Sequence, residues 1–143
     1  MVDKKLILRK ISELIEYLGQ IREFKNITVE IYSTEWKTQR IVERTLQMMI
    51  EICVDIASHI ISDCEYRVPK TYADAFRILH EHGILDEILF QNMERMAKFR
   101  NVVVHQYDKV DAEIVVGILQ KHLSDFVDYK EAIIERIKTG HFG

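Results

Sequence analysis

The chain has 143 residues, of which 48% are hydrophobic and 30% charged, with one proline, five glycines and a formal net charge of −3. These proportions exclude a disordered or collagen-like chain and argue against a fold of many short strands; they fit a single compact helical domain spanning residues 1–143. The acidic balance excludes a generally basic nucleic-acid coat protein, although four cations against one anion between Arg95 and Lys109 make that window +3 and the remainder −6.

The first predicted element is a helix over about 3–24, because Ile7, Ile11, Leu14, Leu18 and Ile21 recur at helical spacing and form one apolar stripe. The opening decapeptide MVDKKLILRK has neither the apolar block nor the cleavage site of a signal peptide. No run reaches the roughly 18 apolar residues of a membrane span. The expectation is a cytoplasmic protein with no membrane role. ITVEIY, residues 27–32, alternates like a strand but has no partner strand, so it reads as a short helix or packed connection.

A long second helix is expected from about Glu35 to Ser62, with Thr34 as its N-cap and Val42, Leu46, Met49, Cys53, Ala57 and Ile60 as its stripe. Met48, Ile50, Val54 and Ile56 widen that apolar face beyond what a monomeric bundle is expected to hide, which predicts a dimer. Cys53 and Cys64 lie about 16 Å apart along a helix axis, too far for a disulfide between them. Cys53 is read as a core residue. The segment DCEYRVPKTY breaks the helix; Thr71 then caps a short helix through Leu79, and Gly83 ends it.

A further helix should run from about Leu85 to Arg100 with Ile88, Leu89, Met93 and Met96 inward. Asp111 is placed to cap the last helix, which carries Val115, Leu119, Leu123, Phe126, Ile133 and Ile137 on one face until Gly140. The expected architecture is all-α: an up-and-down bundle of four main helices plus one short helix.

Candidate chemistry is sparse. His80 and His82, two positions apart, do not share a helix face and have no accompanying ligand cluster, so no metal site is expected and HEHG reads as a solvated helix end. No zinc-protease, redox, dinucleotide or P-loop motif occurs, and no cofactor is expected. RNVVVHQY, residues 100–107, stands apart. Arginine holds a phosphate bidentately at any relevant pH, and an imidazole exchanges protons near neutrality. Together they suit phosphodiester cleavage without a metal. On an unbroken helix Arg100 and His105 would point about 140° apart. The β-branched run Val102–Val104 is therefore expected to tighten or end the helix and swing His105 back toward Arg100. A symmetric dimer would supply two of each group around its axis.

RNVVVHQY resembles the R-x-x-x-x-H-x-Y signature of the HepT toxin family, a branch of the HEPN superfamily. The likeness continues through RIVERTLQMMIEICVDIASHII (40–61), similar to that family's second helix, and VPKTYADAFRILHEHGIL (68–85), similar to its proline-tyrosine segment. In order, residues from about 5 to 138 fit. The resemblance implies a HEPN bundle, dimeric, with the two motifs in a shared cleft. It implies an endoribonuclease that needs no metal, in which Arg100 stabilises the scissile phosphate, His105 transfers protons and Asn101 supports them. It also implies an MNT-type nucleotidyltransferase antitoxin that places AMP on Tyr107, adding bulk and negative charge where an RNA phosphate must bind. Two other readings stay open: a non-catalytic helical module that binds nucleotide or docks such a transferase, and a purely structural homodimer. A secondary role for Arg40 or Arg44 on the second long helix is conceivable, as is simple solvation.

Overall fold

The computed structural model of the protein describes residues 2–140 and 142, and among them every regular element is helical. Helix α1, Lys4–Ile21, starts where the Asp3 carboxylate accepts from the Leu6 N–H, and it buries the five apolar residues of the expected stripe. A short 3-10 turn, Arg22–Phe24, finishes it. The ambiguous ITVEIY segment folds as α2, Val29–Thr34, capped by the Thr28 hydroxyl, which accepts from the Ile31 N–H. Burial of the Tyr32 ring and a hydrogen bond from its hydroxyl to Glu43 decide the conformation of this six-residue helix.

Helix α3, Trp36–Asp63, follows after Glu35 alone. Thr34 is not its N-cap: as the last residue of α2 it donates its hydroxyl to the Ile31 carbonyl, 3.1 Å away, and the Glu35 side chain makes no capping bond either. Contacts between α1 and α3 run from Asp3 to Asp63, Lys10 to Asp55 and Tyr17 to Met48, so the two helices are antiparallel. The width of the α3 apolar face has an internal explanation. Ile50, Val54 and Ile56 are buried within one chain, because α3 is the central helix, packed by α1 and two helices that follow it. That face therefore gives no argument for a dimer.

Beyond α3 the chain turns at Glu65, a non-glycine residue at φ 56°, with the Tyr66 N–H returning to the Ile61 carbonyl. Helix α4, Tyr72–Glu81, is capped as expected by Thr71, and Gly83 adopts φ 73° just past its end. Helix α5, Glu87–His105, starts at an Asp86 cap and lies antiparallel on α4, with Arg77 paired to Glu94 and His80 stacked on Phe90. Its inward face is Leu89, Phe90, Met93, Met96 and Ala97; Ile88, expected inward, is 72% exposed. It precedes that stripe by one position and so falls on the outer side of the first turn.

The final stretch is one helical rod in three parts: α6 (Ala112–Gly117), a π-turn (Ile118–His122) and α7 (Leu123–Thr139). Asp111 caps it through the Glu113 N–H, and Gly140 ends it at φ 69°. The wider π-turn lets Val115, Leu119 and Leu123, spaced four apart, stay on the buried side with Phe126 and Ile133, while Ile137 is half-buried. Asn92 to Asp125 and Arg136 to the Gly83 carbonyl set α7 antiparallel to α5. Tyr129 ties it to α3 by donating its buried hydroxyl to the Cys53 carbonyl, 2.7 Å away.

Candidate active site

Arg100 occupies the penultimate turn of α5, and its side chain is only 16% exposed. Its Nε donates to Glu51 Oε2 at 2.8 Å, Nη1 donates to Asn101 Oδ1 at 3.3 Å, and its Cζ lies 4.6 Å from the centre of the Tyr72 ring. Gln47, one turn earlier on α3, donates to the same Glu51 oxygen. A guanidinium has five N–H donors, so these bonds fix the plane of the group and leave three N–H groups without a hydrogen bond among the described residues. Asn101 is exposed and touches Arg100, which places it beside the cation.

The valine run does not break the helix. Residues 102–104 are helical, the helix continues through His105, and it ends only at Gln106, whose N–H reaches back to the Val102 carbonyl at 2.8 Å. Val103 is buried, and that packing holds the β-branched run helical. His105 therefore does not swing toward Arg100. The two side chains leave the helix about 140° apart, separated by roughly 7.5 Å along the axis. The imidazole is exposed.

Tyr107 begins a 3-10 turn, Tyr107–Lys109, and is 76% exposed. It opens onto a cleft of about 390 Å³ that Tyr32, Gln39, Arg40, Glu43 and Asp108 also line. There, burial and then the Glu43 carboxylate push the Tyr32 phenol well above its ordinary range, so Tyr32 is a fixed donor to Glu43.

Glu51, Gln47 and Tyr72 are the site's unanticipated residues. Gln47 and Glu51 carried a signal: a polar pair four apart inside an otherwise apolar stretch of α3. Tyr72 carried none. Of the other candidates, HEHG is a solvated helix end at Glu81, His82 and Gly83, which are exposed; His80 alone is half-buried, with Nδ1 2.8 Å from the Leu85 carbonyl, and His82 stacks on Tyr66. Burial pushes the Cys53 thiol up, which keeps it protonated within the core. Among the described residues no three His, Cys, Asp or Glu side chains group as a metal site. Helix α3 is long and apolar enough to cross a membrane, with mean hydropathy 1.3, but 56% of that window is buried in the bundle.

The site thus sets an anchored arginine and an exposed histidine near the end of one helix of an all-α bundle. The chain belongs to the ribonuclease HepT-like family, whose model matches residues 14–133. It is similar to the mRNA nuclease HepT of Shewanella oneidensis, with 28% identity over 128 residues, covering 90% of this chain and 96% of that one. The tRNA nuclease HepT of Aphanizomenon flos-aquae is 27% identical over 132 residues, 92% of this chain and 90% of the relative. The solved structure of the tri-AMPylated Shewanella oneidensis HEPN toxin in complex with MNT antitoxin superposes with a TM-score of 0.84 at 28% identity, over 94% of this chain and 99% of that one.

Proposed function

We propose that the protein is the toxin of a HEPN/MNT toxin-antitoxin pair, a cytoplasmic endoribonuclease that needs no metal and acts as a homodimer through Arg100 and His105. The observation that carries this reading is the anchored Arg100, with three N–H groups unspent, on the same helix as an exposed His105. Because the helix is unbroken, the two groups of one chain diverge. A two-fold axis beside the end of α5 would let the Arg100 pair and the His105 pair face one phosphate from two sides.

In that arrangement one His105 takes the proton of the RNA 2′-hydroxyl, and the 2′-oxygen attacks phosphorus. Arg100, its plane fixed by Glu51 and Asn101, carries the charge that grows on the phosphorane. The second copy's His105 protonates the departing 5′-oxygen, leaving a 2′,3′-cyclic phosphate and a free 5′-hydroxyl. The similar proteins are named for different RNAs, one for mRNA and one for tRNA. The activity proposed here is accordingly cleavage of RNA as a class.

Silencing follows from position. Tyr107 is exposed two residues beyond His105. AMP transferred to its hydroxyl by an MNT-type nucleotidyltransferase places a phosphodiester and a nucleoside at the mouth of the site, where charge and volume both exclude RNA. That the similar Shewanella toxin is tri-AMPylated supports this reading.

The test is cleavage of RNA in EDTA by the wild type and by Arg100→Ala and His105→Ala, with dimerisation followed by sedimentation. Both variants should lose cleavage and toxicity while remaining dimeric. Undiminished cleavage by either sinks the assignment. Lost toxicity without any cleavage by the wild type, together with tight transferase binding, would establish the docking-module reading. Mass spectrometry of the protein co-expressed with the transferase should show AMP increments that Tyr107→Phe abolishes.

A further inference from the structure

The first half of α3 presents cations that the site chemistry above does not use. Lys37, Arg40 and Arg44 are exposed, and none forms an ion pair among the described residues. At 100° per residue they share a sector with Gln47 and Glu51 that spans about 80°. The face thus runs roughly 21 Å from Lys37 to Glu51, the residue that holds Arg100. At its outer end stands Trp36, 60% exposed, with Lys37 Nζ and Arg40 Cζ each within 6 Å of the ring centre, at 5.7 and 5.6 Å. Arg40 also lines the Tyr107 cleft. An exposed aromatic flanked by cations, continued by a line of cations toward a phosphate-binding arginine, is the composition of a single-strand binding track.

We infer that Trp36, Lys37, Arg40 and Arg44 form the track that guides single-stranded RNA to Arg100. The inference rests on the ribonuclease reading above and deepens it. A base stacks on Trp36, and Lys37, Arg40 and Arg44 take successive phosphates. The neighbouring carboxylates confine the strand to this face: Glu43 is bound by Tyr32, Asp108 lies across the cleft, and Glu35 accepts from Thr38. On a chain of net charge −3, such a line of cations focuses attraction that the rest of the surface does not supply. The track also explains why an adduct on Tyr107 silences the toxin, since that residue shares a cleft with Arg40.

The experiment measures binding of an unstructured, fluorescein-labelled RNA of about 12 nucleotides to the His105→Ala protein, which does not cut it. With K37Q, R40Q and R44Q added together, the Kd should rise at least about tenfold near 100 mM salt, and the salt slope should flatten by about 2, from about 0.7 per phosphate contact. Trp36 is the single tryptophan, so its emission should be quenched as RNA saturates the protein. Trp36→Ala should weaken binding about fivefold or more. Circular dichroism checks that the surface variants fold. An unchanged Kd and slope, or tryptophan emission indifferent to RNA, overturns the track. So does loss of transferase binding with RNA affinity intact, which would make this face a protein-docking surface. Wild-type cleavage that disappears in His105→Ala, while K37Q, R40Q and R44Q placed together in the otherwise wild-type protein leave its kcat/KM unchanged, refutes the track alone; a wild type that neither binds nor cuts RNA refutes both readings.

Discussion

Glu51→Ala isolates the contribution of a carboxylate that the reaction itself does not use. Glu51 accepts from Arg100 Nε at 2.8 Å and from Gln47 Nε2 at 3.1 Å, and the two partners of the ion pair are 16% and 30% exposed. Such a pair lies between a surface bridge, worth about 0–1 kcal/mol, and a hydrogen bond to a charged group, worth about 1.5–3 kcal/mol. We expect Glu51→Ala to cost about 1 kcal/mol. For a chain of this length the unfolding entropy is about 0.3 kcal/mol per degree, so the Tm should fall about 3 °C. In the proposed mechanism, a guanidinium freed from Glu51 has more orientations than the one that would face phosphorus. The kcat for RNA cleavage should then drop about tenfold, equivalent to about 1.4 kcal/mol of transition-state stabilisation, with KM little changed. Glu51→Gln, which keeps an acceptor at the same place, should recover most of the kcat. A Glu51→Ala enzyme with wild-type kcat refutes the orienting role, as does a loss that appears in KM alone.

Two further expectations concern the scaffold. At Gly83, φ 73° and the 3.3 Å approach of Arg136 Nη2 to a built Cβ make alanine costly by about 1–2 kcal/mol, a Tm fall of about 3–6 °C by calorimetry, whereas asparagine should cost less; equal losses would refute the backbone argument. Arg67 grips Asp74 with both Nη atoms and Glu81 through Nε, and it is the main cause holding Asp74 near pH 2 and Glu81 below its ordinary range. Because the folded-state pKa is depressed, this stabilisation is complete above the ordinary 3.8 of Asp74 and disappears as the pH falls through about 2. The Tm gap between wild type and Arg67→Ala should therefore narrow from pH 4 to pH 2, and a gap independent of pH would refute the linkage.

What the sequence disclosed follows from where each signal resides. The α1 stripe and the caps at Thr71, Asp111, Gly83 and Gly140 are local, written in spacing or in a single side chain, and each appears in the structure. Thr34 failed because α2 exists through tertiary burial of Tyr32, which a six-residue window cannot register. The wide α3 face was misread for a related reason. Periodicity reports that a helix is apolar on several sides, but whether neighbours from the same chain or from another cover it depends on the assembled bundle. Glu51 lies 49 residues from Arg100, and nothing in either segment alone pairs them.

The valine run sharpens what the R-x-x-x-x-H spacing encodes. Had Val102–Val104 ended the helix, one chain could have closed Arg100 and His105 on a phosphate by itself. Instead, burial of Val103 outweighs the poor helix propensity of β-branched residues, which is a few tenths of a kcal/mol per residue. The helix survives to its last polar residue. A spacing of four would leave the two side chains about 40° apart on one face, whereas five sends them about 140° apart. The spacing thus separates cation from imidazole within a chain. In the proposed dimer, that separation lets each copy offer Arg100 on one side of the two-fold axis and His105 on the other, and the base and the acid of the reaction are the two His105 side chains, one from each copy.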